Sequence, residues 1–253
     1  MTQEIEIALR KCPMIEKYLG RLIYERLTLP FPEGDRTDSI AMIDLEDANP
    51  ALLEGLLERT CDTSNFDSIF SEKLGKDRAP DEKINDALAV IQAIDFLKKR
   101  DYKNIEVVTR KRKQRTVDLI AKYRNKDWAI EVKHIRGLDI KRLIPLGSGL
   151  GYAMDAGNKA IVKETLKSKI NEALEQIEAF CANDNCRGYK RAVIIASRRA
   201  EFWLFTEIVP IVLSQLFESC YQGKLDKIML LVGFYDTEIV ECPCRKDIAA
   251  EEE

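Results

Sequence analysis

Asp118, Glu131 and Lys133 are residue types that could do chemistry together if the chain brought them close. They lie in residues 116–134, TVDLIAKYRNKDWAIEVKH. Val117, Leu119 and Ile120 mark one strand and Trp128, Ile130 and Val132 a second, with Asn125-Lys126-Asp127 as turn chemistry between them. Side chains alternate faces along a strand, so Glu131 and Lys133 point the same way. A loop centred on Asn125-Lys126 would set Asp118 opposite Lys133, with Glu131 on the diagonal. Opposed Cβ atoms lie about 5 Å apart and diagonal ones about 7–8 Å. Two carboxylates at that separation can bridge one divalent cation. Unpaired charge is costly in a half-buried sheet, so two acids and a base need a reason. A metal site is one; an ordinary cross-strand salt bridge is the other.

Other elements must position these strands. Residues 1–80 read as mostly helical. Pro13 suits the first turn of a helix, and Ile15, Leu19, Leu22, Ile23 and Leu27 follow at helical spacing. Asn49-Pro50 starts another helix, with Leu52, Leu53, Leu56 and Leu57 as its core face. Residues 61–80 are mixed and polar, the expected boundary. From Pro80 a helix carries Ile84, Leu88, Ile91, Ile94 and Leu97, closing on Lys98-Lys99-Arg100, cations that suit a helix carboxyl end. The spacing then predicts a strand at 105–109, a basic turn, the hairpin, and a glycine-rich stretch at 137–157 read as a flexible loop. A helix at 160–182, a buried strand at 192–196, a helix at 201–221 interrupted at Pro210, and a last strand at 227–240 complete the order.

Asp118, twelve intervening residues, then Glu131-Val132-Lys133 resembles the D…ExK signature of the PD-(D/E)xK nuclease superfamily. The order of elements after residue 80 resembles its core, so the resemblance covers roughly residues 81–240. It implies an α/β fold with a restriction-endonuclease-like core: helix, three-stranded antiparallel meander, helix, strand, helix, strand. That core would occupy 81–245, with an added, mostly helical amino-terminal region at 1–80 and an acidic tail at 246–253. The implied activity is metal-dependent hydrolysis of phosphodiester bonds in nucleic acid, DNA being the expected substrate, with Mg²⁺ or Mn²⁺ as cofactor. Asp118, Glu131 and the carbonyl of Val132 would be metal ligands, and Lys133 would orient water or stabilise developing charge. Many members add an acid from the first helix. Asp81, Glu82, Asp86 and Asp95 lie on it; Asp86 is the candidate, and an acid favoured by the helix dipole is the alternative. Gln176, in NEALEQIEAF, resembles the glutamine of the QxxxY element of RecB-type nucleases, with Phe180 at the tyrosine position.

A net charge of −3 means that nucleic acid would have to meet a local basic patch. Arg110, Lys111, Arg112, Lys113 and Arg115 form one candidate, and Lys167, Lys169 and Gln176 are further candidate contacts. Solvated surface charge is the bland alternative. No apolar run is long enough to span a bilayer, and a cytoplasmic location is expected. Seven irregularly spaced cysteines fit reduced thiols better than a disulfide framework. The single histidine, His134, excludes sites needing two; strand alternation turns it away from Glu131. Cys181, Cys186, Cys242 and Cys244 have poor zinc spacing, and the expected topology puts Cys186 and Cys242 at opposite sheet ends. Two other functions compete: a catalytically inactive nuclease-fold module binding nucleic acid or protein, and an assembly protein whose amino-terminal helices form a homodimer.

Overall fold

The computed structural model describes residues 11–28, 50–72, 80–109, 116–135, 156–182, 186, 188–197, 209–232 and 238–242. Three helices come first: α1 (Pro13–Thr28), α2 (Pro50–Thr60) and the short α3 (Ser68–Glu72). Then follow α4 (Pro80–Lys99), β1 (Lys103–Val107), β2 (Leu119–Tyr123), β3 (Lys126–His134), α5 (Ala156–Cys181) and β4 (Lys190–Ser197). The last elements are α6 (Val209–Leu216), continued as a π-helical turn at Phe217–Tyr221, then β5 (Lys227–Val232) and β6 (Glu238–Cys242). The six strands form one mixed sheet in chain order, β1 to β6. β1–β2–β3 is an antiparallel meander, β3–β4–β5 run parallel through the α5 and α6 crossovers, and β6 returns antiparallel. The parallel strands need helical crossovers, and those helices cover the sheet.

The two sheet faces carry separate cores. Ile130, Val132, Ile194, Ala196, Met229 and Leu231 pack against α4. Ala129, Val193, Ile195, Ile228 and Leu230 point the other way, onto α5 and α6. This is the period-2 alternation of strands covered on both sides. Every residue of α4 from Ala87 to Leu97 is buried. The sheet covers one side of it and α1 and α2 pack on it as well. Ile15, Leu19, Leu53, Leu56 and Leu57 share its apolar cluster, so side chains from both sides of Pro80 meet in one core.

Local chemistry sets the helix starts. Pro13 occupies the first position of α1, where its missing N–H costs nothing. The next two amides donate to Glu54 of α2, Met14 N to Oε1 at 2.7 Å and Ile15 N to Oε2 at 2.9 Å. One carboxylate thus satisfies two orphan donors and meets the positive end of the helix dipole.

Two expectations change. The last strand, read as one run over 227–240, is a pair, because β6 runs antiparallel to β5 with Cys242 level with Ile228. Cys242 therefore lies at the sheet end where β4 begins, the same end as Cys186, rather than the opposite one. Pro210 is the second described residue of α6; residues 201–208, the first part of the expected helix, lie outside the described residues. Residues 39–45 and most of the glycine-rich stretch lie outside the described residues. Among the described residues no helix is long and apolar enough to cross a membrane.

Candidate active site

The hairpin register differs from the expected one by two residues. Leu119 pairs with Ile130 and Tyr123 with Lys126, so the turn is Arg124-Asn125. Both residues have positive φ, 47° and 58°, as the type I′ hairpin turn requires. Asparagine was expected to open the turn, but it takes the second position and Arg124 the first. The two-residue shift is even, so within the ladder each side chain keeps its expected face. It alters who faces whom: the ladder ends at Leu119 opposite Ile130, and Asp118, just before it, engages the Val132 amide.

Asp118 and Glu131 are both buried, at 4 % and 1 % exposure. Asp118 is held from two sides. Its Oδ2 accepts the Val132 amide at 2.9 Å, and its carbonyl accepts the Val108 amide at 3.0 Å. A strand residue directs its N–H and C=O to the same side, so the Val132 carbonyl also faces the Asp118 edge. Glu131 meets the ammonium of Lys133, Nζ to Oε1 at 3.0 Å. The same ammonium donates to Gln176 Oε1 on α5 at 2.5 Å.

Lys133 is held by the crossover helix. α5 packs on the sheet face that bears Glu131 and Lys133, and Ile170, Ala173 and Ile177 fix it there. Gln176 lies on the flank of that apolar stripe. At the other side of α5, the Tyr221 hydroxyl of the π-helical turn donates to Asn171 Oδ1 at 2.8 Å. Burial pushes the Tyr221 phenol up to about 12, so it stays a donor.

Asp86, the expected acid of the first helix, is not gathered here. Asp86 is on α4, across the sheet: its Oδ1 lies 3.9 Å from His134 Nδ1. Ile130, Val132 and His134 alternate toward α4, whereas Glu131 and Lys133 face α5. Asp86 is thus separated from the Glu131–Lys133 pair by the sheet, and His134 faces away from Glu131 as alternation requires. Among the described residues no three His, Cys, Asp or Glu side chains converge. Asp95, also on α4, is engaged by Arg59 Nε and Lys99 Nζ, each at 2.9 Å. Lys167 is exposed and Lys169 half-buried on α5. Arg110, Lys111, Arg112, Lys113 and Arg115 lie outside the described residues. The sequence named the Val132 carbonyl but missed its amide as the partner of Asp118. It also gave Gln176 to nucleic acid rather than to Lys133. A hairpin register counted from Arg124-Asn125 would have found the first; nothing local could have found the second.

The donor set fits a hard cation. Two carboxylates and a carbonyl offer oxygen only, and Mg²⁺ needs few protein oxygens because it keeps several waters. The chain matches no protein-family model, no curated protein and no solved structure.

Proposed function

We propose that the protein is a metal-dependent nuclease of the PD-(D/E)xK type, acting on DNA. One observation carries this reading: Asp118, just before β2, and Glu131, on β3, are both buried beside the Val132 backbone, with Asp118 on the Val132 amide and the Lys133 ammonium on Glu131. Burying two carboxylates is costly, and a bound hard cation would offset that cost. The run of α4, β1–β3, α5, β4, α6 and β5, with β6 added, supports a restriction-endonuclease-like core.

In this reading Asp118, Glu131 and the Val132 carbonyl hold Mg²⁺ or Mn²⁺. When bound, the ion supplies an acidified water and polarises a phosphoryl oxygen. The chain's own groups do the rest. Asp118 is fixed by the Val132 amide, so its carboxylate needs no reorganisation when the ion arrives. Lys133 presents a positive charge where negative charge grows on the phosphate. Gln176 Oε1 accepts a hydrogen bond from it and limits where the ammonium can sit. Preorganised charge of this kind is worth more in a buried site than in water.

The placement of Asp86 across the sheet favours a second reading, a nuclease-fold module that binds nucleic acid without cutting it. One experiment separates the two. The protein is incubated with linear, circular and single-stranded DNA and with RNA, with Mg²⁺ or Mn²⁺, beside Asp118→Ala and Lys133→Ala. Metal-dependent cuts lost in both variants are expected. Salt-sensitive binding with no cuts under any metal would sink the enzyme and leave the binding module.

A further inference from the structure

α5 carries its charges backwards. Helix dipoles favour acids in the first turn and cations in the last. α5 has no acid in its first turn and no cation in its last. Lys159 stands in the first turn and Glu178 in the last. Three of the four lysines, Lys159, Lys163 and Lys167, fall in the amino-terminal half, where Glu164 is the one acid; Lys169 opens the other half, which Glu172, Glu175 and Glu178 crowd. Helix stability does not account for that order.

The direction of the helix gives it a meaning. Gln176 is level with Lys133, near the end of β3. Beyond Gln176, α5 leads to Cys181 and then to β4, whose first residue Lys190 pairs with Trp128 near the other end of β3. The amino-terminal half therefore runs past Lys133 and away from the strands. Its buried face, Val162 and Leu166, is in the apolar cluster shared with α6. At 1.5 Å per residue, Lys169 lies about 10 Å and Lys159 about 25 Å along the axis from Gln176. Lys159, Lys163 and Lys167 are exposed and four residues apart, so successive cations are separated by about 6 Å along the helix.

We infer that this half of α5 is a rail for a nucleic-acid phosphate backbone, leading into the site at Lys133. Regularly spaced cations along one helix suit a linear polyanion. No large apolar side chain of α5 is exposed among its described residues, which removes what an interfacial helix would insert into lipid. The inference rests on the nuclease reading only for where the scissile bond sits; the rail binds backbone whether or not it is cut.

The test is binding without chemistry. Affinity of a labelled DNA duplex, a DNA single strand and an RNA strand is measured in EDTA over a range of KCl. Lys159→Gln, Lys163→Gln and Lys167→Gln are made singly and together, beside the triple Lys→Arg variant. Each lost phosphate contact removes about 0.7–0.9 from the slope of log affinity against log salt. The triple Gln variant is expected to lose about 2–3, each single about one, and the Arg variant nothing, with thermal midpoints at or above wild type. If the triple variant fails to fold, the singles carry the measurement. Unchanged slopes in folded variants overturn the rail even where the wild type cuts DNA with Mn²⁺. Absence of nucleic-acid binding by the wild type overturns it too. So does lysine-dependent sedimentation with phosphatidylserine vesicles in its place. Loss of slope in a protein that never cuts leaves the rail standing and removes only the nuclease.

Discussion

Among the described residues, buried acids cluster on either side of the sheet, and the two clusters are built to different plans. Asp95 on α4 is 8 % exposed and has two cations on it, Arg59 from α2 and Lys99 one turn on, each at 2.9 Å. Lys98, beside it, donates to the Arg59 carbonyl at 2.7 Å and reaches Asp62. Both cations are about half exposed, at 48 % and 50 %, so the pairing leaves only the acid dry. This is charge used as a clip between helices. Across the sheet the plan differs. Asp118 and Glu131 are both dry; Asp118 is engaged by a backbone amide, and Glu131 by Lys133, an ammonium only 17 % exposed that also donates to Gln176. One cluster ties a buried acid down with solvent-exposed cations; the other sets two buried acids on partners drawn from the sheet and the crossover helix.

That contrast can be broken from either side. The largest effect should come from the acid-rich cluster. Asp118→Asn and Lys133→Ala should each lower cleavage on the order of 10³-fold, since several kcal/mol of charge stabilisation go with the ion or the ammonium. Asp118→Asn should nonetheless leave the urea midpoint unchanged or raised, because it removes a buried charge and keeps an acceptor for the Val132 amide. Marked destabilisation would place Asp118 with the clips. Next, Gln176→Ala should reduce kcat about 10–100-fold, the usual range for groups that orient a working side chain, with little change in KM. Gln176→Glu should restore the contact yet shift the pH profile. A KM effect alone would return Gln176 to a substrate contact.

The clip should behave the other way round. Asp95→Asn should cost about 1–2 kcal/mol of stability by denaturant titration, discounted because both cations can turn to solvent, with cleavage as in the wild type. The smallest effect is its pH dependence. Burial pushes the Asp95 carboxyl up, but Arg59 and Lys99 outweigh it and hold it below the usual carboxylate range. A depressed carboxyl contributes fully above its unfolded value, near 4, and loses that contribution as pH falls toward the folded value. The stability gap between wild type and Asp95→Asn should therefore be constant from about pH 5 upward and shrink below about pH 4. A gap independent of pH would mean that Asp95 contributes by shape rather than charge.

Much of this was visible in the sequence, for local reasons. The period-2 run Trp128, Ile130, Val132 showed β3, and the 3.6-period run from Ile84 to Leu97 showed α4. Pro13 and Pro50 marked helix starts because proline's fixed φ acts on its own residue. The shared face of Glu131 and Lys133 followed from alternation alone. The return strand β6 did not follow, because an apolar run over 227–240 does not say where the chain reverses.

The sequence by itself thus determined which residue types lie on which faces, since propensity and periodicity act within a few positions. Only the tertiary structure decided who meets whom. The placing of Asp118 beside the Val132 amide depends on a turn at Arg124-Asn125 that two positive φ angles select. The grip of Gln176 on Lys133 spans 43 positions and exists because α5 docks its apolar stripe on that face. The same docking of α4 on the other face holds Asp86 beside His134, away from the Glu131–Lys133 pair. Contacts of that range are set by packing, where two surfaces must fit at once, and no stretch of chain carries that information alone.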